Sequence, residues 1–225
     1  SMKGRDGRFY ASIFFNGMYW IHPDGTKEQY APVTFFTGGT SSYAHSSGDY
    51  VKTGFVFTKF TDPNIDTRKN TWGSFTWSYL RLAEIYLNYA EAANEAWGPT
   101  GTGLHGYSAY DVIKAIRQRA GIKDASGNDP YLESVKNDQA KMRDLIRNER
   151  RLELCFEGFR FWDLRRWKEG SKLSSITEMH IVKNQDGSFS YNREVVKRNW
   201  DDKMYLFPIP QSEILKHNKI GRAHV

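Results

Sequence analysis

Arg147-Asn148-Glu149-Arg150-Arg151-Leu152-Glu153-Leu154-Cys155-Phe156-Glu157-Gly158-Phe159-Arg160-Phe161-Trp162-Asp163-Leu164-Arg165-Arg166-Trp167 interleaves arginines, carboxylates and large aromatics too densely for an ordinary amphipathic helix. On a helical wheel Met142, Leu145, Ile146, Leu152 and Phe156 share one face, and Glu149 and Glu153 fall on it as well. A carboxylate in a core register is costly unless a partner satisfies it, and a guanidinium fork suits it best. Arg150, Arg160, Arg165 and Arg166 are the candidates close by in sequence. The spacing predicts that Gly158 ends this helix, with Cys155 inside it, and that Arg160 to Lys168 forms a short second helix folded back on the first. The expectation is a helical corner pinned by an ion-pair network of Glu149, Glu153, Arg150, Arg160 and Arg166.

Working outward, the whole of Tyr79 to Lys168 reads as helical. Leu82, Ile85, Tyr86, Tyr89, Ala90 and Ala93 mark one face of a helix that stops at Gly98-Pro99. Ser108 and Asp111 have capping-box spacing for a next helix, whose apolar positions are Val112, Ile113 and Ile116 and which Gly121 ends. Ser171 to Phe207 reads as a polar cover containing a hairpin that turns at Asn184-Gln185-Asp186-Gly187. Pro208 and Pro210 stiffen a strap leading to a last short helix from about Gln211. Upstream, Gly7 to about Trp77 is rich in Gly, Thr, Ser and aromatics, with strand-like runs at Phe9–Phe15 and Thr53–Phe60. The fold class expected is mainly α. Residues 1–77 form an irregular, strand- and loop-rich region, 78–219 a helical region with its hairpin cover, and 220–225 a separate tail.

Residues Glu149, Arg150, Arg151, Glu153, Leu154, Phe156, Glu157, Gly158, Arg160, Asp163, Leu164, Arg166 and Trp167 resemble the E-R-R-x-E-L-x-F-E-G-x-R-x-x-D-L-x-R-W signature of the SusD/RagB family. Arg81 to Ala92 resembles that family's R-L-A-E-x-Y-L-x-x-A-E-A helix. Arg117 to Ile122 resembles its R-x-R-A-G turn, and Tyr205 to Pro210 its closing L-x-P-I-P. Four motifs in the family's order span about Gly54 to Asn218. The resemblance implies tetratricopeptide-like helical hairpins, a fragment of a SusD-like α/α superhelix. It also implies a non-catalytic lipoprotein on the outer face of the outer membrane, which binds oligosaccharide or polysaccharide and passes it to a SusC-like TonB-dependent transporter. An alternative of the same fold is a surface protein that captures peptides or host glycoprotein. Family members would begin with a signal peptide, a lipid-modified cysteine and earlier helical repeats; Ser1 to Asp6 has no apolar signal segment, so the chain is expected to correspond to roughly the C-terminal half of its parent. Ile220-Gly221-Arg222-Ala223-His224-Val225 matches one reading frame of a common sequencing adapter, and is expected not to be native sequence.

Composition narrows the function classes. The chain has 225 residues, a net charge of +6 and one cysteine. Its mean hydropathy is −0.67, with no apolar run near the ~20 residues of a membrane span. Arg143, Arg147, Arg150, Arg151, Arg160, Arg165 and Arg166 cluster, but Asp144, Glu149, Glu153, Glu157 and Asp163 are interleaved with them, which argues against nucleic acid. Glu149 with Glu153, or Glu84 with Glu91, superficially suggests a glycosidase pair. Such pairs flank a substrate, whereas these lie on one helix face. The histidines are scattered without metal-ligand spacing, and there is no G-x-S-x-G elbow or P-loop. No enzyme activity, metal or cofactor is expected.

Sugars present C–H faces that pack on exposed rings and hydroxyls that hydrogen-bond to polar side chains, so the requirement is rigid aromatics on loops. The first region offers Tyr19, Trp20, Tyr30, Tyr43, Tyr50, Trp72 and Trp77, with Asn16, Asp24, Asp49 and Asn70 nearby. Trp20, Tyr30, Tyr43 and Trp72 are the candidate platforms and Asn70 a candidate polar contact; the same rings could instead fill a small core. Tyr86, Tyr89, Phe156, Phe161, Trp162 and Trp167 occur at core spacing on helices and are expected to pack inside.

Overall fold

The computed structural model describes residues 4–19, 32–39, 41, 51, 53–62, 64–65, 69–74 and 76–216. Within them the chain is mainly α. The order is α1 (Gly7–Ser12), β1 (Ile13–Phe15), β2 (Phe55–Phe57), α2 (Leu82–Trp97), α3 (Ala109–Arg119), α4 (Pro130–Val135), α5 (Gln139–Glu153), α6 (Phe159–Arg166), β3 (Ser175–Lys183), β4 (Phe189–Lys197) and α7 (Gln211–Lys216).

Local chemistry sets most of these boundaries. The capping box of α3 is complete: the Ser108 side chain accepts from the Asp111 amide while the Asp111 carboxylate accepts from the Ser108 amide. Asp129 caps α4 ahead of Pro130 at its first position, and Asp138 caps α5. Helix α2 stops at Gly98, whose φ of 77° is easy only for glycine. The Tyr110 amide then donates to the Pro99 carbonyl at 2.9 Å, closing α2 and α3 into an antiparallel hairpin. Helix α5 packs on the other side of α2, where Gln139 Nε2 donates to the Asn94 carbonyl at 2.6 Å.

The face of α2 matches the expected one in part: Ala90 and Ala93 are buried and Tyr89 packs against the core. Ala83, Leu87, Ala90, Ala93 and Asn94 are buried, whereas Leu82, Ile85 and Tyr86 are exposed. Small side chains let α3 and α5 approach α2 from both sides, so the alanine row wins over the bulkier neighbouring row. Leu87, Ala90 and Ala93 meet Val112, Ile113, Ile116, Leu132, Val135, Met142, Leu145, Ile146 and Leu154 in one core. The sequence reading had no counterpart of α4, which supplies Leu132 and Val135 to it.

Helix α5 ends at Glu153, a turn before Gly158. The Leu154 amide takes the Arg150 carbonyl at 3.0 Å, and at and beyond the last residue side chains take over: Lys59 Nζ donates to the Glu153 and Cys155 carbonyls at 2.9 and 3.2 Å, and Arg81 Nη2 donates to the Glu153 carbonyl. Gly158, at φ 85°, is the N-cap of α6 instead. Because of this early stop Cys155 lies outside the helix, Leu152 is only half-buried and Phe156 is exposed. Segment 9–12, expected as strand, is helical, started by Asp6 accepting from the Arg8 amide. Strands β3 and β4 pair antiparallel from Ser175↔Lys197 to Lys183↔Phe189, around a turn in which the Asn184 amide donates to the Ser188 carbonyl at 2.8 Å. The Thr37 amide donates to the Ile181 carbonyl at 2.8 Å, joining the first region to this hairpin.

Candidate functional site

Two arrangements stand out: a buried charge clamp and an open tryptophan. The clamp is built on α5. Glu149 has no exposed surface; its Oε1 accepts from Arg117 Nη1 at 2.6 Å and its Oε2 from Arg8 Nη2 at 2.9 Å. One turn on, Glu153 accepts from Arg81 Nη1 at 2.9 Å, from Arg8 Nη1 at 3.1 Å and from Arg119. Glu157, just beyond the helix end, accepts from Arg81 Nε at 2.7 Å and Lys59 Nζ at 2.6 Å. Arg117 also forks onto Asp129, the cap of α4. Cations from α1, α2, α3 and the segment after β2 therefore converge on one face of α5.

Arg150, Arg160 and Arg166, the partners expected from sequence proximity, do not touch Glu149 or Glu153. Arg150 is adjacent to Glu149 along the helix and so projects about 100° around it; it bonds Asp163 at 2.7 Å and Asn88 at 2.6 Å. Arg166 grips Glu91 at 2.5 and 2.9 Å and reaches Asp163 at 3.1 Å. Arg160 makes no ion pair among the described residues. The actual partners Arg81, Arg117 and Arg119 stand inside the R-L-A-E and R-x-R-A-G motifs, so their place in those motifs was the available signal. Arg8 carried none.

Electrostatics keeps Glu153, Glu157 and Asp129 ionised. Burial pushes the Glu153 carboxyl up, but hydrogen bonds from Arg119, Arg81 and Arg8 outweigh it and hold the group at about 2. Burial likewise opposes ionisation of Glu157 and Asp129, but Arg81 and Lys59 hold the first, and Arg117 with the Leu132 amide the second, below the usual carboxylate range. Arg8, Lys59, Arg81 and Arg119 line a cleft of about 260 Å3 beside Glu153. The donors of Arg8, Lys59 and Arg81 are committed to carboxylates and carbonyls, which leaves this cleft to act as framework.

The second arrangement lies in the first region. Asn70 sits at φ 54°, a left-handed conformation that asparagine tolerates. Its Oδ1 accepts from Trp72 Nε1 at 2.9 Å, and the Trp72 side chain is 74% exposed. The bond fixes the polar edge of the indole and leaves its faces free. Trp77 is less open because Phe60 backs it at a ring distance of 4.9 Å. Trp20, Tyr30 and Tyr43 lie outside the described residues, so of the expected platform set the geometry brings together Trp72 and Asn70.

Of the aromatics expected to pack inside, Tyr89 lies against the core and Trp167 is half-buried, and the other four depart from expectation. Tyr86, Phe156, Phe161 and Trp162 are exposed rather than packed inside. Phe161 and Trp162 join Phe207 in a surface cluster with ring distances of 5.0 to 6.1 Å, and the Arg165 guanidinium lies 3.5 Å from the Phe161 ring centre. Helix α6 is one short turn pair whose buried side is already filled by Asp163 and Leu164. Its rings are left to cover the surface.

Among the described residues no group of three His, Cys, Asp or Glu side chains is placed to hold a metal ion, and no helix is long and apolar enough to cross a membrane. The SusD family profile matches residues 1–223. SusD-like protein P38 of Formosa agariphila is 37% identical over 108 residues, which are 46% of this chain and 20% of that protein. SusD-like protein P2 of the same organism is 28% identical over 141 residues, 63% of this chain and 24% of that protein. The matched stretches thus span a quarter or less of these relatives' own length. With the profile covering nearly all of its residues and the same four motifs in order, the chain belongs to the SusD family.

Proposed function

We propose that this chain is part of a non-catalytic glycan-binding protein at the cell surface, in which residues 78–219 are frame and residues 1–77 carry the recognition surface. Family membership supports the class of activity. The observation that carries the site is the open indole of Trp72 with its edge held by Asn70: a ring fixed in advance loses little freedom when a sugar face packs on it. Trp20, Tyr30 and Tyr43 are proposed as further platforms. The frame's carboxylates are committed to cations, which fits binding rather than bond cleavage. In the same reading the protein is lipid-anchored on the outer face of the outer membrane, hands its oligosaccharide to a SusC-like TonB-dependent transporter, and residues 220–225 are a non-native tail.

Titration calorimetry of the intact protein against a panel of neutral and acidic oligosaccharides tests the reading. At least one class should bind, and Trp72→Ala should weaken that binding about tenfold, the scale of one lost ring contact. A protein that binds no glycan, or a Trp72→Ala variant that binds as the parent does, would falsify it.

A further inference from the structure

Arg151, near the end of α5, and Arg160, in the first turn of α6, line one open cleft of about 400 Å3 together with Arg147, Lys172, Asp144 and Glu169. Four cations meet two carboxylates there. Glu169 is already held by Arg147 at 2.7 Å and Lys172 at 2.5 Å. Asp144 pairs with neither Arg151 nor Arg160, and among the described residues these two guanidinium groups meet no carboxylate at ion-pair distance. Arg147 Nε is also buried without a hydrogen-bond partner.

Three effects disfavour this arrangement as a purely structural one. Burial and the nearby Arg151 push the Arg160 guanidinium below its ordinary proton affinity, and Glu169 and Asp163 offset this only in part. Arg160 also sits at the positive end of α6, whose first turn has no acidic residue and whose N-cap Gly158 has no side chain to offer. Elsewhere on α5 every buried cation of the clamp has its carboxylate, so the missing counter-charge is local to this cleft. Unfavourable charge kept in a cleft marks a site that something else completes.

We infer that the cleft binds an oxyanion, a carboxylate or sulfate group carried on an acidic glycan, with Arg151 and Arg160 as its guanidinium forks. This rests on the glycan-binding reading above, extends the recognition surface from residues 1–77 to this one cleft of the frame, and adds the charge class of the ligand. Guanidinium forks match the paired oxygens of either group, and an anion there relieves both the like-charge contact and the helix-end field.

The test uses the intact protein, with Arg160→Gln, Arg151→Gln/Arg160→Gln and Trp72→Ala beside the parent. Melting is followed in chloride and in sulfate at matched ionic strength, and affinities are measured for neutral, uronate-bearing and sulfated oligosaccharides. In chloride Arg160→Gln should melt at or above the parent, because the deleted charge had no partner. The double variant should lose about tenfold or more in affinity for acidic oligosaccharides, the scale of a lost charge-assisted contact, and keep its affinity for neutral ones. Parental stabilisation by sulfate that is absent from the double variant, without any preference for acidic sugars, overturns the inference that a glycan carries the anion and points to a free oxyanion instead. A lower melting temperature of Arg160→Gln, or unchanged acidic-glycan affinity in the double variant, overturns the inference. Binding of neutral glycans alone sinks this inference and leaves the broader reading standing, whereas binding of no glycan sinks that reading.

Discussion

Arg117 Nη1 donates to Glu149 Oε1 at 2.6 Å, and the carboxylate that receives it has no exposed surface. That contact ties α3 to α5, while Arg8 ties α1 to the other oxygen of the same group. Paired and fully hydrogen-bonded, the three charges recover part of their desolvation cost. With the carboxylate gone, Arg117 keeps Asp129 and Arg8 keeps Asp6 and Glu153, but each loses its charge partner at the fully buried end of the clamp. Glu149→Ala should therefore lower the unfolding free energy by about 3–5 kcal/mol, read from the urea midpoint of the intact protein. A loss below about 1 kcal/mol, the range of exposed pairs, would show that the clamp does not stabilise the fold.

The same clamp dictates how stability follows pH. Glu153 is held at about 2 in the folded chain against an ordinary value of 4.5. A carboxyl with a depressed folded value contributes stability that is complete above its unfolded value and disappears as pH falls through its folded one. Glu157, Glu91 and Asp129 are depressed in the same direction, so their contributions carry the same sign. The melting temperature should fall progressively from about pH 4.5 towards pH 2, and Glu153→Gln should flatten that slope by removing one titrating group. A parent and variant with parallel pH profiles would disprove the assignment.

Asn70→Gly separates orientation from stacking at the open tryptophan. Glycine adopts the φ of 54° at least as easily as asparagine, so the backbone is retained while the oxygen that accepts from Trp72 Nε1 is deleted. The indole remains but turns more freely, and ordering it then costs part of the binding energy. Glycan affinity should drop several-fold, less than in Trp72→Ala, with the melting temperature unchanged. Equal losses in the two variants would mean that Asn70 touches the sugar itself.

What the sequence made legible were features whose cause is local. Ser108 and Asp111 announce their capping box at three-residue spacing, Gly98-Pro99 halts α2, and Asn184 to Gly187 turns the hairpin. The buried face of α2 was legible at Ala90 and Ala93 but not elsewhere, because burial follows how closely α3 and α5 approach and that favours Ala83 and Leu87 over Ile85 and Tyr86. The end of α5 depends on Lys59 and Arg81 capping its carbonyls from far along the chain. Pairing within the clamp is equally remote, since Arg8 reaches Glu149 from 141 positions away. A sequence supplies the inventory of charges, and topology chooses the partners. At the candidate site, Asn70 and Trp72 were readable together because they are two residues apart.

Gly170 tests how the hairpin cover is fastened to α6. It is buried, and a Cβ placed on it would lie 1.8 Å from Trp200 Cζ2. Its amide also donates to the Tyr205 hydroxyl at 2.9 Å, and Tyr205 meets Trp200 edge to face at 5.0 Å. The absent side chain is thus what lets the segment around 200–205 close on the end of α6. Gly170→Ala must displace a rigid indole rather than a pliable chain end, an overpacking cost of about 1–3 kcal/mol. The contact lies away from the core that α2, α3 and α5 share, so the damage should stay local. Hydrogen exchange should speed up around residues 198–206 while amides of α2 and α5 keep their protection. Uniform loss of protection would instead show that this fastening and the helical core unfold as one cooperative unit.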